Sequence, residues 1–129
     1  MKNALVDTHV LLWYLMDDSR ISENIIEDYI ENEKSVLYIS SFSFFEIAIK
    51  NSIGKLEQNV RVEICYEAAE KMGIRMVGPD RDIFEILQSL PFIHKDPFDR
   101  ILVATAMSRS LPIITNDKNI AAYAVRTAW

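Results

Sequence analysis

Residues 4–15 read ALVDTHVLLWYL, and the change of pattern at Asp7 inside that stretch decides the fold. Asn3–Val6 is a short apolar run of strand type that ends at Asp7, and His9–Leu15 continues as helix. The same hand-over recurs down the chain. VLYISS (36–41) leads into a helix that starts at Ser43 and carries Glu46 one turn in; DPFDR (96–100) opens a helix with Asp99 in its first turn. PIIT (112–115) is followed by Asp117 and a short helix. Between these, Ser22 caps a helix to about Glu31, and Gly54 stops the Ser43 helix near Ile53. Val60–Lys71 is a further helix ending at Gly73, before the strand Ile74–Val77. Asp80 caps Arg81–Leu90, the DPFDR helix runs to about Arg109, and strand Ile113–Thr115 precedes a last edge strand at Tyr123–Arg126.

Strand–helix alternation without repeats predicts an α/β fold, a mainly parallel sheet covered by helices on both faces. Strand order is left open. In such sheets the residues just past the carboxyl ends of the strands converge on one crevice. Asp7, Glu46, Asp99 and Asp117 all stand at such places. Carboxylates gathered there repel one another unless a divalent cation sits among them, and hard oxygen ligands suit Mg²⁺ or Mn²⁺. The expectation is a metal-dependent enzyme acting on phosphates.

Each acid also has a plainer explanation. Asp7, taken alone, reads equally well as a turn residue. Glu46 has Lys50 four residues on, a pairing worth about 0.3–0.5 kcal/mol on a helix surface. Its neighbours Phe44, Phe45, Ile47, Ala48 and Ile49 mark a buried helix, where an unpaired carboxylate is costly. Capping explains Asp96 completely and Asp99 partly, with Pro97 at the first helical position. Asp117 alone reads as a cap. The set moves the balance, since four acids after different strands with few basic neighbours are hard to assign to capping every time. Arg100 is a candidate phosphate contact, although an exposed salt bridge explains it as well. His9 and His94 are isolated, without cysteine partners, and read as structural.

The composition bounds these readings. At 129 residues, half of them hydrophobic and 26% charged, the chain is expected to be a single globular domain over 1–129. A lone Cys65 forms no internal disulfide, which fits a reducing compartment. The first apolar stretch is interrupted by Asp7 and His9, and no apolar run approaches the ~20 residues of a membrane span. A soluble, cytoplasmic protein is expected. The net charge of −5 argues against a high-affinity, nonspecific nucleic-acid binder. The four candidate acids carry most of that charge, and one divalent cation would halve theirs.

Four segments, LVDTHVLLW, SSFSFFEIAIKNSIGKL, HKDPFDRILVATA and IITNDKNIAAYAV, span almost the whole chain in order and resemble the PIN-domain family. Among its branches they look most like the VapC-type ribonuclease toxins of prokaryotic toxin–antitoxin pairs. The resemblance implies a three-layer α/β/α sandwich and a Mg²⁺ or Mn²⁺ site formed by Asp7, Glu46, Asp99 and Asp117. Asp99 rather than Asp96 matches the family's third acid by its position before ILVATA. Thr8 and Thr115 match positions that support the site in similar proteins, and Asn116 joins them. Phe45 stands where similar sequences often carry Trp, a difference of packing. Also implied are cleavage of single-stranded or looped RNA to a 5′-phosphate and a 3′-hydroxyl, homodimerisation, and a small antitoxin laid in a groove near the site. Phe42, Phe44, Phe45, Trp13 and Tyr14 offer apolar surface for such a partner, although burial explains most of it.

Two rivals belong to other classes. A phospho-acceptor receiver domain would want an acid pair after the first strand, where Thr8 and His9 follow Asp7. A haloacid-dehalogenase phosphatase would want a second Asp where His9 stands. A noncatalytic scaffold of the same fold, acting by binding alone, is the remaining alternative.

Overall fold

The apolar runs that begin at Asn3, Val36, Ile74 and Ile113 become strands of one sheet. The computed structural model describes residues 2–129. In it β1 (Asn3–Val6), β2 (Val36–Ser40), β3 (Arg75–Val77), β4 (Ile113–Ile114) and β5 (Thr127–Ala128) lie in the order β3-β2-β1-β4-β5. Every neighbouring pair is parallel, and Leu5 of β1 stands opposite Tyr38 on one side and Ile113 on the other.

Side chains alternate across the sheet, so each strand feeds two cores. Ala4, Val6, Leu37, Ile39 and Ile114 pack with α1 (Thr8–Leu15), Ile25 of α2 (Glu23–Ile25), α3 (Ser41–Ser52) and α4 (Val62–Lys71). Leu5, Tyr38 and Ile113 pack on the opposite side with α6 (Pro97–Arg109) and with Ile120 of α7 (Lys118–Ala121). Helix α5 (Arg81–Gln88) lies against α6. This is the expected three-layer α/β/α sandwich, with a sheet that is wholly parallel. Leu5, Leu11, Leu12, Ile39, Ile47, Ile113 and Ile114 are fully buried, each worth roughly 1.5–3 kcal/mol relative to exposure.

The strand order locates the crevice. From β1 the chain builds outward to β2 and β3, then returns across the sheet to lay down β4 and β5 on the other side. The carboxyl ends of β1 and β4 therefore flank a topological switch point, where ligands bind in open α/β sheets. Asp7 and the Thr115–Asp117 turn lie immediately past those two ends.

Several boundaries differ from the sequence reading for local reasons. Helix α3 opens at Ser41, because the Ser40 hydroxyl accepts the Phe42 N–H at 3.1 Å and acts as the cap. Gly54 follows with a left-handed φ of +66°, as its role in ending that helix requires. The helix expected over 22–31 is α-helical only through Ile25, and Ile26–Ile30 widens into a π-helical turn. That wider turn brings Ile26, Tyr29 and Ile30 against the core beside Ile25. Helix α4 starts at Val62 because Asn51 donates to the Val60 carbonyl and accepts the Val62 N–H. The expected edge strand Tyr123–Arg126 is not one. Tyr123 is buried, with its hydroxyl accepting N–H bonds from Ile93, His94 and Arg100, and pairing with β4 begins only at Thr127.

Candidate metal centre

The end of β1 sets the first carboxylate. Asp7 keeps extended backbone geometry and caps α1, with Oδ1 accepting the His9 N–H at 3.4 Å. Its Oδ2 accepts the Thr115 hydroxyl at 2.7 Å. Thr115 Oγ1 in turn accepts the Asp117 N–H at 3.1 Å, so one hydroxyl ties the ends of β1 and β4 together. Asp7 is buried, and burial pushes its carboxyl above the usual carboxylate range. The Thr115 hydroxyl and the charge and N–H of His9 oppose that rise, and the charge of Glu46 adds to it.

Asp117 repeats the arrangement at β4. Its Oδ1 accepts the Asn119 N–H at 2.8 Å and caps α7. Asp99 sits in the first turn of α6 because Asp96 caps that helix, accepting the N–H groups of Phe98 at 2.8 Å and Asp99 at 3.3 Å. The Asp99 carboxyl is pushed up to about 8, first by burial and then by the negative charges of Asp96, Asp7, Asp117 and Glu46.

A cavity of about 240 Å³ is lined by Asp7, His9, Trp13, Asp99, Asn116 and Asp117. The crevice thus brings together three of the four acids singled out in the sequence, with Asn116 among them. Glu46 lies outside the lining but close enough for its charge to act on Asp7 and Asp99. It is 5% exposed and accepts Lys50 Nζ at 2.8 Å, so the helical pair and the buried carboxylate are the same residue. The Thr8 hydroxyl donates to Ser43 Oγ at 2.8 Å and joins the start of α1 to α3. Arg100 makes no ion pair among the described residues. Its guanidinium donates to the carbonyls of Leu90 and Pro91 and to the Tyr123 hydroxyl, and stacks over the Phe92 ring.

His94, read from the sequence as structural, stands among the acids. Its Nε2 lies 2.9 Å from Asp99 Oδ2 and 3.6 Å from Asp117 Oδ2. Among the described residues, His94, Asp99 and Asp117 each offer a ligand atom within 4.8 Å of the other two. The one signal in the sequence is its place two residues before the capping Asp96, whose backbone N–H donates to His94 Nδ1 at 3.1 Å.

The donor set fits a hard divalent cation. Three carboxylates open on one cavity that no Lys or Arg lines, and a fourth stands behind with a single ammonium partner. Two of these carboxyls are raised by burial and mutual repulsion, the condition a bound cation relieves. A larger cavity of about 470 Å³ opens at the amino ends of the strands beside Lys2, Arg109 and Arg126. It holds no acid, so chemistry rather than size selects the crevice.

The fold has solved counterparts. VapBC2 from Rickettsia felis, bound to a DNA fragment from its promoter, superposes with a TM-score of 0.74 at 10% identity, covering 98% of this chain and 97% of that one. DNA-bound VapBC from Salmonella typhimurium gives 0.70 at 18% identity, covering 99% and 98%. A toxin–antitoxin complex from Klebsiella pneumoniae gives 0.65 at 21% identity, covering 98% and 96%. At such identities the likeness establishes architecture alone. No curated protein matches the sequence. The family model of the PIN domain matches residues 4–126, and with that match over nearly its whole length the chain belongs to the PIN domain family.

Proposed function

We propose that this protein is a Mg²⁺- or Mn²⁺-dependent endoribonuclease and the toxin of a toxin–antitoxin pair. The observation that carries the nuclease reading is the crevice itself. Asp7, Asp99 and Asp117 line one cavity at the switch point, with Glu46 behind them and too few cations to balance them. Membership in the PIN family, whose domains are generally nucleases, points the same way. The toxin reading is supported by the structural neighbours, which are toxin–antitoxin complexes. It implies a small antitoxin partner, a homodimer and a cytoplasmic setting. Among the described residues no helix is long and apolar enough to cross a membrane.

Asp7, Glu46, Asp99 and Asp117 are the residues to hold the cation. When bound, Mg²⁺ or Mn²⁺ shields phosphodiester charge and makes a coordinated water more acidic. Thr115 fixes the Asp7 carboxylate and the Asp117 backbone with one hydroxyl. Asp99 lines the cavity, whereas Glu46 is held by Lys50, so Asp99 is the carboxylate placed to orient the attacking water. Asn116 and Thr8 complete the surroundings, the first on the cavity wall and the second behind it. In-line attack leaves a 5′-phosphate and a 3′-hydroxyl.

The test is incubation of the purified, partner-free protein with labelled single-stranded RNA in Mg²⁺ or Mn²⁺, with EDTA and Asp99→Asn controls. Cleavage lost in both controls is the expected result. A folded protein that cuts under neither metal overturns the nuclease and leaves the binding scaffold.

A further inference from the structure

The chain has two tryptophans, Trp13 and Trp129, and they pack against one another at the rim of the crevice. The sheet puts them there. All the strands are parallel, so their carboxyl ends share one rim, and Trp129 directly follows β5. The Ala128 carbonyl accepts the Thr115 N–H at 3.1 Å, which sets Trp129 beside the residue whose hydroxyl bonds to Asp7 and Asp117. From there a row of rings leads to the cavity. Trp129 meets Trp13 edge-on, with centroids 5.9 Å apart and planes at 67°, and the His9 ring lies 6.2 Å from Trp13. Trp13 and His9 both line the cavity with Asp7, Asp99 and Asp117.

Packing accounts for only one of the two indoles. Trp13 is 8% exposed, belongs to the core on its side of the sheet and carries the Arg20 guanidinium 5.0 Å over its ring. Its indole N–H is buried without a partner among the described residues, so the position uses the breadth of the ring rather than its polar edge. Trp129 is 40% exposed, and an edge-on pair takes up at most one of its faces. Single exposed apolar side chains are common, but this one stands on a row of rings that runs to the carboxylates. A phosphodiester seated at the cation carries a base on either side, and aromatic rings that stack on bases are a usual means of holding single strands. The net charge of −5 gives RNA little help from a basic face, whereas stacking needs no charge.

We propose that Trp129 is a substrate-binding residue, its open indole face stacking on a base next to the phosphodiester held at the cation. The proposal rests on the nuclease reading of the crevice and adds to it a contact with bases. Trp13 backs the stack and is itself clamped by Arg20, which Asp18 and Glu57 hold.

Tryptophan emission arises nowhere else in the chain, which makes the test direct. Partner-free protein in Ca²⁺ is titrated with oligoadenylate and with a ribose–phosphate chain of equal length that lacks bases, the length of the RNA being checked on a gel. Labelled copies of both give affinities by anisotropy. Oligoadenylate is expected to quench the emission and bind more tightly, and the abasic chain to bind without quenching. In Trp129→Ala the preference for the base-bearing chain is expected to shrink about 5–150-fold, the range that loss of one stack gives, and in Trp129→Phe by less than about 3-fold. A merely structural tryptophan would weaken both chains alike, and that result overturns the proposal. So does an unchanged preference in Trp129→Ala, including the case in which that variant loses a partner protein instead. Should Trp129→Ala fail to fold, wild-type emission decides, and bound oligoadenylate that leaves it unchanged overturns the stack. Quenching without cleavage in Mg²⁺ or Mn²⁺ fails the nuclease alone and supports the stack. Folded protein that cuts no RNA and binds neither chain overturns both.

Discussion

Asp7 and Asp117 each divide their two oxygens. Oδ1 caps a helix, and Oδ2 is given to the crevice, toward Thr115 for Asp7 and toward His94 for Asp117. Capping and metal binding are thus one geometry, because a helix that starts at a strand end points its cap at the space where the strands stop. Exchanging Asp7 for Asn keeps an oxygen for the Thr115 hydroxyl, gives up the long 3.4 Å cap bond from the His9 N–H, and removes a desolvated charge. Asp7→Asn is therefore expected to melt no lower than wild type without metal, while metal-dependent RNA cleavage falls at least about 100-fold; a melting curve and a cleavage assay check both. Asp99 gives the pH dependence. Its carboxyl lies at about 8 in the folded protein against 3.8 for the ordinary group. The stability tied to its proton is complete below the unfolded value and is lost as pH rises through about 8, and the raised Asp7 acts in the same direction. Metal-free protein is expected to lose stability in denaturant titrations between about pH 4 and pH 8; Asp99→Asn should flatten that slope. Asp7, Glu46 and Asp117 were legible in the sequence because each follows a strand by a residue or a turn, and Asp99 because it stands in the first turn of a helix opened by Asp96 and Pro97, although helix α5 rather than a strand precedes it. His94 was not, since its partners Asp117 and Tyr123 lie more than twenty residues away and only folding brings them near.

At the scale of elements, the caps and one tyrosine hold the geometry. Ser40 accepts the first free N–H of α3, the helix that carries Glu46. Ser40→Ala is expected to cost about 1 kcal/mol, measured by chemical denaturation. Tyr123 collects three donors on one oxygen. Burial pushes its hydroxyl pKa up, but the bonds from His94, Ile93 and Arg100 outweigh that and bring it below the ordinary tyrosine value. Tyr123→Phe is expected to cost about 1–3 kcal/mol through the donors left behind, and to speed hydrogen exchange at the Ile93 and His94 amides. The strand–helix alternation was readable because each strand is a compact apolar run bounded by a turn. The last strand was misplaced for the same reason. Tyr123–Arg126 has the apolar-polar look of an edge strand, but Tyr123 is claimed by the loop before α6, and only Thr127–Ala128 is left to pair.

For the whole molecule, the sheet order decides what a cation does to stability. Asp7 and Asp117 follow adjacent strands, and Glu46 and Asp99 stand on helices of opposite layers, α3 and α6. A cation held by all four clamps the three layers. At a concentration 100-fold above its dissociation constant it is expected to add about 2.7 kcal/mol, a rise of roughly 10 °C in melting temperature, and no rise in Asp7→Asn. Layering and parallel strands follow from the sequence pattern. The strand order does not, because a continuous apolar run says that a strand is buried on both faces and nothing about which neighbour lies beside it. That order also governs timing. A chain leaving the ribosome amino end first can pair β1 with β2 and β3 while β4 has yet to be made. Until residues 113–117 emerge, Asp7 lacks the Thr115 hydroxyl and the crevice lacks Asp117. A chain broken off during synthesis before that point carries three of the four acids and cannot assemble them, so a cell making this protein meets its proposed activity only in finished molecules.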